Sequence, residues 1–341
     1  MSNMKEIAKV ANVSKSTVSN VLQKRGNVSK KLQKKVKYVA KELNAENKKV
    51  INDETNKSKI VSFFFNMDKH DVHSDFEKNL LNGILSICNK HDYFLLVSTN
   101  NSLNLSDSNL HIGGSILLNP ENNSDHNRGN IPYVWIGTPP LSERGKIPYV
   151  DNDNELIGYT VTEYLITNNH RNIVYINSPA EKTVSESRKQ GFEKAIDLSK
   201  KVKPKFQHFY TESKQNYFDQ TYEIASHLLS ERIYKPDAFI VNSEMMAKAI
   251  YKVCEEKDLR IPDDVSVIAI YAEDKACEIF EPKLTSINLN EYQLGEEAGK
   301  LLLSIIGYEK TSGGGSIVPT NIIPRGSVKN NKGDSNVILR I

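Results

Sequence analysis

Short apolar runs rich in β-forming residues alternate with amphipathic stretches along most of this 341-residue chain. The first run, at 59–65, has the length of a buried strand, and apolar residues at helical spacing follow it from Phe76 to Lys90. Such alternation predicts parallel sheets covered on both faces. We therefore predict an α/β body of two open sheets, meeting at a cleft suited to a small ligand. Further strands are predicted at 93–97, 114–118, 133–136, 172–176, 206–210, 238–241 and 265–270, and further helices at 156–167 and 187–198.

The length and composition indicate a soluble protein of more than one domain. A chain of 341 residues is too long for one core, and its 38% apolar and 26% charged residues are ordinary for globular proteins. No apolar run approaches the ~18 residues of a membrane span, and the polar N-terminus carries no secretion signal. Three scattered cysteines, Cys88, Cys254 and Cys277, are expected to be buried thiols in a reducing compartment. We therefore expect a cytoplasmic protein.

Charge is distributed unevenly between the first fifty residues and the rest of the chain. Residues 1–50 hold 13 Lys and Arg against 3 Asp and Glu, whereas the whole chain holds 45 against 42. The remaining residues therefore hold 32 basic against 39 acidic side chains. A strongly basic head on an acidic body is typical of a nucleic-acid-binding protein, and its binding should weaken as salt rises.

The basic head has the pattern of three short helices. Ile7, Ala8 and Val10 form an apolar stripe, and Asn12 suits a left-handed turn that ends the first helix. Ser14 is placed to cap a second helix, and Ser29 a third, since a serine hydroxyl accepts a backbone N–H of the first turn. Buried positions are predicted at Val18, Val21, Leu22, Leu32, Val36, Val39, Ala40 and Leu43. The pattern predicts a helix-turn-helix unit, although a small helical bundle with a solvated basic face would share it.

The second helix leaves short polar side chains facing outwards, where they can reach base edges or phosphates. The segment from Met4 to Leu22, with its run Val-Ser-Lys-Ser-Thr-Val-Ser-Asn-Val-Leu, followed by Asn27-Val-Ser29, resembles the head of the LacI/GalR family of bacterial repressors. That resemblance implies a homodimer that binds double-stranded DNA at a near-palindromic operator, with a ligand-sensing body behind the head. It makes Lys15, Ser16 and Asn20 candidate base readers and Thr17 and Ser19 candidate phosphate contacts. The remaining candidate DNA-binding residues are Lys5, Ser14, Asn27 and Ser29.

The body resembles the same family over nearly its whole length. Matching landmarks include Val150-Asp-Asn-Asp-Asn154, Arg188-Lys-Gln-Gly-Phe192 and Arg260-Ile-Pro-Asp-Asp-Val-Ser-Val267. The resemblance implies a two-lobed fold like that of periplasmic binding proteins, with crossings between the lobes near 155, 289 and 320. We expect the following domains: 1–46, the helix-turn-helix; 47–58, a linker; and 59–341, the body, with lobe 1 at about 59–155 and 290–320 and lobe 2 at about 156–289 and 321–341.

The linker departs from the family pattern. Members of the family usually hold a hinge helix here, with an Ala-Arg-x-Leu-like motif whose leucines wedge into the minor groove. No such motif is present, and Asp53 and Glu54 stand beside the only apolar substitutes, Val50 and Ile51. We therefore expect a weak or atypical hinge.

The residues that the family uses for its effector map unevenly onto this chain. Arg188, in Arg-x-x-Gly-Phe, matches the arginine that grips the effector, and a guanidinium can bind hydroxyls, a carboxylate or a phosphate. Phe76 either contacts the ligand or belongs to the core, and Asp153 is a hinge or cleft residue. Glu244 replaces an expected aspartate, and Tyr271 replaces another, so that paired sugar hydroxyls lose their usual acceptors. We expect that an ordinary free hexose is not the effector, and Tyr271 could instead stack on a ring. A phosphorylated sugar, another metabolite, a protein corepressor and the absence of any effector all remain open.

Enzyme chemistry finds no support in the sequence. There is no phosphate-binding Gly-x-x-x-x-Gly-Lys-Ser/Thr loop, no Gly-x-Ser-x-Gly elbow and no histidine cluster with metal-ligand spacing. We predict no catalytic residues, no metal and no cofactor. The expected function is a ligand-responsive repressor of carbohydrate or related metabolic genes. Two alternatives remain: a small-molecule-binding protein with a vestigial head, and a regulator controlled by a protein corepressor.

Overall fold

The protein divides into two compact units, residues 1–59 and 60–341. The computed structural model describes residues 4–22, 28–29, 31–40, 58–65, 75–98, 111–120, 131–140, 142–177, 182–199, 205–211, 216–230, 235–307 and 314–329. The predicted linker at 47–58 lies outside the described residues except for Ser58, as do Asn27, Leu43 and the segment from 330 onwards.

The described residues of the first unit form three helices: α1 (Met4–Ala11), α2 (Lys15–Leu22) and α3 (31–40). Asn12 ends α1 with a φ of 50°, as its pattern predicts. The predicted serine caps are confirmed: the N–H of Thr17 donates to Ser14 Oγ over 3.1 Å, and the N–H of Leu32 donates to Ser29 Oγ over 3.4 Å. The core of the unit contains Ile7, Ala11, Val18, Val21, Val36, Val39 and Ala40.

One assignment in the apolar stripe of α1 is wrong. Val10 is 56% exposed, whereas Ile7 and Ala11 are buried. Ile7 and Ala11 stand four residues apart on one helix face, and that face alone packs against α2 and α3. Val10 lies to the side of it.

The first sheet of the second unit is entirely parallel, with the strand order β11-β5-β4-β3-β1-β2. Helices α4 and α10 pack against it, and together they form lobe 1. Its elements are β1 (Ile60–Phe64), α4 (Asp75–Lys90), β2 (Phe94–Ser98), β3 (Gly114–Leu118), β4 (Tyr133–Ile136), β5 (Tyr149–Asp151), α10 (Glu291–Ile306) and β11 (Gly315–Ile317).

The second sheet has the order β12-β10-β9-β8-β6-β7 and defines lobe 2. All its pairs are parallel except that of β10 with β12, because β12 enters directly from lobe 1 with no helical crossover to reverse it. Its elements are α5 (Asn154–Thr167), β6 (Asn172–Asn177), α6 (Lys182–Leu198), β7 (Lys205–Tyr210), α7 (Tyr217–Ser230), β8 (Ala238–Val241), α8 (Glu244–Glu256), β9 (Ser266–Ala269), α9 (Asp274–Ile279), β10 (Thr285–Asn288) and β12 (Asn321–Ile323).

The chain passes between the lobes after β5, after β10 and after β11, and a buried asparagine joins the three passages. Asn152 Nδ2 donates to the carbonyl oxygens of Leu289 and Val318, each over 3.0 Å. Because one amide connects all three segments, Asn152 fixes their relative positions at the base of the cleft.

In each lobe, one pair of helices packs closely because each helix places a glycine against the backbone of the other. The pairs are α5 with α6 and α4 with α10. A Cβ on Gly158 of α5 would lie 1.9 Å from the carbonyl oxygen of Arg188, and one on Gly191 of α6 would lie 1.8 Å from that of Glu155. Gly83 of α4 and Gly295 of α10 approach the opposite backbone in the same way. The first pair brings Arg188 close to the start of α5.

The three cysteines are buried free thiols, as the sequence predicts. Across the described residues, none of the helices has the length and apolar character needed to cross a lipid bilayer.

Candidate functional site

The exposed face of α2 gathers the polar residues that the sequence singles out in the head. Val18 and Val21 are buried, so the opposite side of the helix presents Lys15, Ser16 and Asn20 to solvent. Ser16 and Asn20 are four residues apart and therefore share one face. Thr17 and Ser19 are half-buried at the sides of that face.

Ser14 organises the start of this face. Besides capping α2, its Oγ lies 2.8 Å from the hydroxyl of Ser16 and 2.8 Å from that of Thr17. Ser29 is exposed at the start of α3, and Lys5 lies in α1. Asn27 lies outside the described residues.

Helix α3 supplies positive charge in the same unit. Lys31, Lys34, Lys35 and Lys37 are exposed, whereas Val36 and Val39 are buried. The described head therefore combines a polar helix face with flexible cations, which suits base contacts on the helix and phosphate contacts around it.

The second candidate site lies between the lobes, where the carboxyl ends of the parallel strands meet, as expected for an open α/β sheet. Arg188 and the residues bonded to it form one part of this cleft, here called the Arg188 end. Its Nε donates to Asn154 Oδ1 over 3.0 Å, and Asn154 Nδ2 donates in turn to the carboxylate of Asp151. Asp151 also accepts from the hydroxyl of Thr138 over 2.7 Å and from the N–H of Asn152 over 2.8 Å. Burial raises the pKa of Asp151, while these hydrogen bonds and the nearby guanidinium oppose that rise.

Asp153 caps helix α5, which begins beside this network. Its Oδ1 accepts the N–H of Leu156 over 2.9 Å, so the carboxylate caps α5, and the side chain is exposed. The buried carboxylate of the Arg188 network is that of Asp151, two residues earlier. The sequence pattern did not separate the two, because both acids flank the same passage between lobes.

Strands β6, β7 and β8 of lobe 2 end in a chain of buried polar side chains that sequence reasoning missed. The hydroxyl of Tyr175 donates to Asn242 over 3.0 Å, and Asn242 donates to Asn177. Asn177 Nδ2 lies 3.3 Å from Nε2 of His208, whose ring meets Tyr175 edge-on. Burial, helped by Lys189, lowers the pKa of His208 to about 4, so its imidazole is neutral near pH 7. The available signal in the sequence was an asparagine at the end of each of two apolar strands, Asn177 after residues 173–176 and Asn242 after Ala238–Val241.

Phe76 of lobe 1 and Tyr271 of lobe 2 meet across the cleft, and these residues and their neighbours are here called the Tyr271 end. Their ring centroids are 5.6 Å apart in an edge-to-face arrangement, and Phe76 packs against the buried clusters of both lobes. The Oη of Tyr271 is buried with no hydrogen-bond partner among the described residues, and the same holds for Oε2 of Glu244. Burial raises the pKa of Tyr271, and four neighbouring glutamates raise it further.

Carboxylates from both lobes surround this pair. Burial raises the pKa of Glu244, with Glu273 and Asp75 adding to the rise, and burial likewise raises the pKa of Glu291. A cavity of about 340 Å³ opens here, with α4 on one wall and the segment after β9 on the other. It is lined by Asp75, Lys78, Tyr271, Glu273, Asp274 and Glu291, among others. Within the described ranges, no group of three His, Cys, Asp or Glu side chains is arranged to hold a metal ion.

The structure thus brings four of the five predicted effector residues to the cleft in two groups of contacts. Arg188 belongs to the first, and Phe76, Tyr271 and Glu244 belong to the second. Their contact with an effector stays a prediction.

Comparison with known proteins identifies both units. Residues 3–44 match the family described as bacterial regulatory proteins, lacI family, and residues 162–328 match the periplasmic binding protein-like domain. The HTH-type transcriptional repressor PurR of Histophilus somni is 26% identical over 322 residues, which cover 90% of this chain and 92% of that protein. The HTH-type transcriptional regulator CelR of Thermobifida fusca is 26% identical, with 94% and 96% covered.

A solved structure has the same fold along almost the whole chain. The complex of the transcriptional regulator CelR with cellobiose superposes with a TM-score of 0.69 at 24% identity, covering 96% of this chain and 100% of that one. The chain thus combines a LacI-family DNA-binding domain at its N-terminus with a periplasmic binding protein-like domain, and its relatives over nearly the whole length are transcriptional regulators of the LacI type.

Proposed function

We propose that this protein is a ligand-responsive transcriptional repressor that reads a near-palindromic operator as a homodimer. The observation that carries the proposal is the outward face of α2. Lys15, Ser16 and Asn20 are exposed together on one helix whose opposite side forms the core of the head. A helix presented in this way enters the major groove, where amides, hydroxyls and ammonium groups read base edges.

Dimerisation is supported by the outer edge of lobe 1. Strand β2 ends the sheet, and its sequence Phe-Leu-Leu-Val-Ser is apolar, yet only Ser98 is buried. Phe94 is 73% exposed, and Val97 and Leu85 are exposed beside it. An apolar edge strand left open to water favours association, so a second copy of the chain is proposed to cover it. Two heads held by a symmetric dimer match the two half-sites of a palindrome.

The operator is tested by selecting bound duplexes from a random DNA pool with the full-length protein at near-physiological salt. We expect one enriched palindrome. Ser16→Ala and Asn20→Ala should each weaken its binding by about 1–3 kcal/mol, whereas Gln190→Ala, at an exposed amide on lobe 2, should leave it unchanged. Binding of every sequence alike, with equal salt sensitivity in all variants, would contradict sequence-specific recognition.

The effector is proposed to be a small polar molecule other than a free hexose. Tyr271 and Glu244 stand where paired sugar hydroxyls would need two short carboxylates, and the Tyr271 hydroxyl can donate to a ligand oxygen. Ligands that bind the folded protein raise its melting temperature by mass action. Common free hexoses at millimolar concentration should therefore leave the melting temperature unchanged, and a clear shift with any one of them would refute this assignment.

A further inference from the structure

The start of α4 in lobe 1 is held by a carboxylate from lobe 2. The backbone N–H of Asp75 donates to Glu273 Oε1 over 2.9 Å, although the two residues are 198 positions apart in the chain. The N-terminus of a helix carries unpaired N–H groups and a partial positive charge, so a carboxylate there forms a charge-assisted hydrogen bond.

Glu273 directs its side chain across the cleft instead of to its own helix. Glu273 is the N-cap residue of α9, with extended backbone angles of φ −60° and ψ 135°. Its side chain nevertheless makes no capping hydrogen bond to α9. Asp153 and Ser243, in the same position before α5 and α8, both cap their own helices. Glu273 is therefore the exception among these three lobe 2 residues.

The segment that carries Glu273 is fixed to the sheet of lobe 2. Arg325, whose side chain is only 8% exposed, forms ion pairs with Asp274 and Glu278 of α9. The same guanidinium donates to the carbonyl of Leu284 over 2.9 Å and to Ser286 Oγ over 2.8 Å. Because α9 is anchored in this way, the bond from Glu273 to α4 connects lobe to lobe and not lobe to a loose loop.

A second contact joins the same two segments. Phe76 follows Asp75 directly, and its ring meets Tyr271, two residues before Glu273. Both contacts work against a repulsion, because Glu244, Glu291 and Asp75 bring further negative charge to this end of the cleft. The charge-assisted bond offsets that repulsion at the point where the lobes meet.

We propose that Glu273 is an interlobe latch, whose carboxylate on lobe 2 holds the N-terminus of α4 on lobe 1 and so stabilises the closed arrangement of the lobes. The latch rests on the proposed function of the cleft and adds its regulation. An effector acts on a molecule whose lobes already have a closing contact of their own, and it shifts the opening equilibrium by its differential affinity for the two arrangements.

The test is hydrogen exchange of the full-length protein followed by mass spectrometry, with no DNA or effector added. In Glu273→Ala, exchange should become about tenfold faster both in the first turns of α4 and in the segment 271–279 of lobe 2, the size expected for one charge-assisted hydrogen bond. Glu273→Gln, which keeps an acceptor but not the charge, should give a smaller increase. Glu281→Gln, an exposed acid on the same lobe, should give none.

Strands β3 and β8 serve as the reference for intact folding, and their exchange should be unchanged in all variants. Faster exchange confined to the first turn of α4 would mean that Glu273 only caps the helix, and it would overturn the latch. Unchanged exchange in Glu273→Ala would overturn it as well. Because operator binding is not part of the measurement, the latch can fail while sequence-specific binding through Ser16 and Asn20 survives, and the reverse also holds.

Discussion

The Arg188 end and the Tyr271 end of the interlobe cleft differ in whether their buried carboxylates have favourable partners. At the Arg188 end, the buried carboxylate of Asp151 accepts hydrogen bonds from Thr138, Asn152 and Asn154, and the guanidinium lies close by. At the Tyr271 end, acids from both lobes face each other, and Glu244 and Tyr271 each bury an oxygen without a partner among the described residues.

This difference suggests that the Arg188 end holds the shape of the cleft, whereas the Tyr271 end responds to binding or protonation. A network with its partners in place is rigid and sets the geometry of the cleft. At the Tyr271 end, buried oxygens lack hydrogen-bond partners and the carboxylates repel one another. A proton, a ligand or a group from the opposite lobe would supply a missing partner and lower the free energy of this end. We therefore expect substitutions at the Arg188 end to cost stability, and removal of the partnerless charge of Glu244 at the Tyr271 end to increase it.

The largest loss of stability is expected from Gly191→Val, which disrupts the packing of α5 against α6 that positions Arg188. The new side chain would collide with the carbonyl of Glu155 and push α6 away from α5, since even a Cβ would lie 1.8 Å from that oxygen. We expect a loss of about 3 kcal/mol or more in the free energy of unfolding, measured by chemical denaturation.

Gly307→Ala is the matched control for this substitution. Gly307 ends α10 with a φ of −77°, which every residue adopts, and a Cβ there would meet its nearest atom, the carbonyl oxygen of Leu303, at 3.1 Å. It should cost less than about 1 kcal/mol. Equal losses in the two variants would show that close helix packing does not hold the Arg188 end in place.

A smaller loss is expected from Arg188→Met, which keeps the apolar stem and removes the charge. The positive charge of Arg188 lowers the pKa of Asp151 and so opposes the rise caused by burial. Without that charge the pKa of Asp151 in the folded state is higher, and the folded state holds the proton more tightly. As pH rises above the ordinary carboxyl pKa of 3.8 and through the folded-state value, the variant should lose stability relative to the parent, by about 1–2 kcal/mol near pH 7.

Denaturation at a series of pH values checks this expectation. The deficit of Arg188→Met should shrink towards acid pH, where Asp151 is protonated in both proteins. A deficit of constant size at every pH would mean that Arg188 contributes packing alone, and that the charge balance proposed for this end is absent.

Much of the fold follows from local patterns in the sequence. The strands at 114–118, 133–136 and 238–241 have the predicted bounds, because a continuous apolar run has one stable place in a covered parallel sheet. Ser14 and Ser29 cap the helices that follow them, since capping depends on residues three apart. The antiparallel β12 was not predictable in this way, because its partner is chosen by where the chain crosses between lobes.

The cleft was less predictable because its chemistry is assembled from distant positions. Arg188, Phe76 and Tyr271 were predicted from short motifs that resemble the family, and their contact with an effector stays a prediction. Glu273 was missed, since nothing near it in sequence indicates a bond to a helix 198 residues away. The distinction between Asp151 and Asp153 also needs three dimensions, because only one of them is buried against Arg188.

The smallest effect, and the one of opposite sign, is expected from Glu244→Gln at the Tyr271 end. The first turn of α8 favours a negative charge, but burial, together with Glu273 and Asp75, outweighs it and raises the pKa of Glu244 above its ordinary 4.5. The folded parent therefore binds a proton more tightly than the unfolded chain and loses stability as pH rises from 4.5 through the folded-state pKa. Glutamine has no charge to bury, so the variant should match the parent at acid pH and exceed it near pH 8 by on the order of 1 kcal/mol.

The same denaturation series measures this gain, with Glu281→Gln as the exposed control, which should stay within about 0.5 kcal/mol of the parent. Arg188→Met and Glu244→Gln should then give curves that diverge from the parent in opposite directions as pH rises, because one removes a favourable neighbour of a buried carboxylate and the other removes a buried carboxylate itself. If Glu244→Gln lost stability at high pH instead, Glu244 would have a favourable partner of its own, and the two ends of the cleft would be balanced alike.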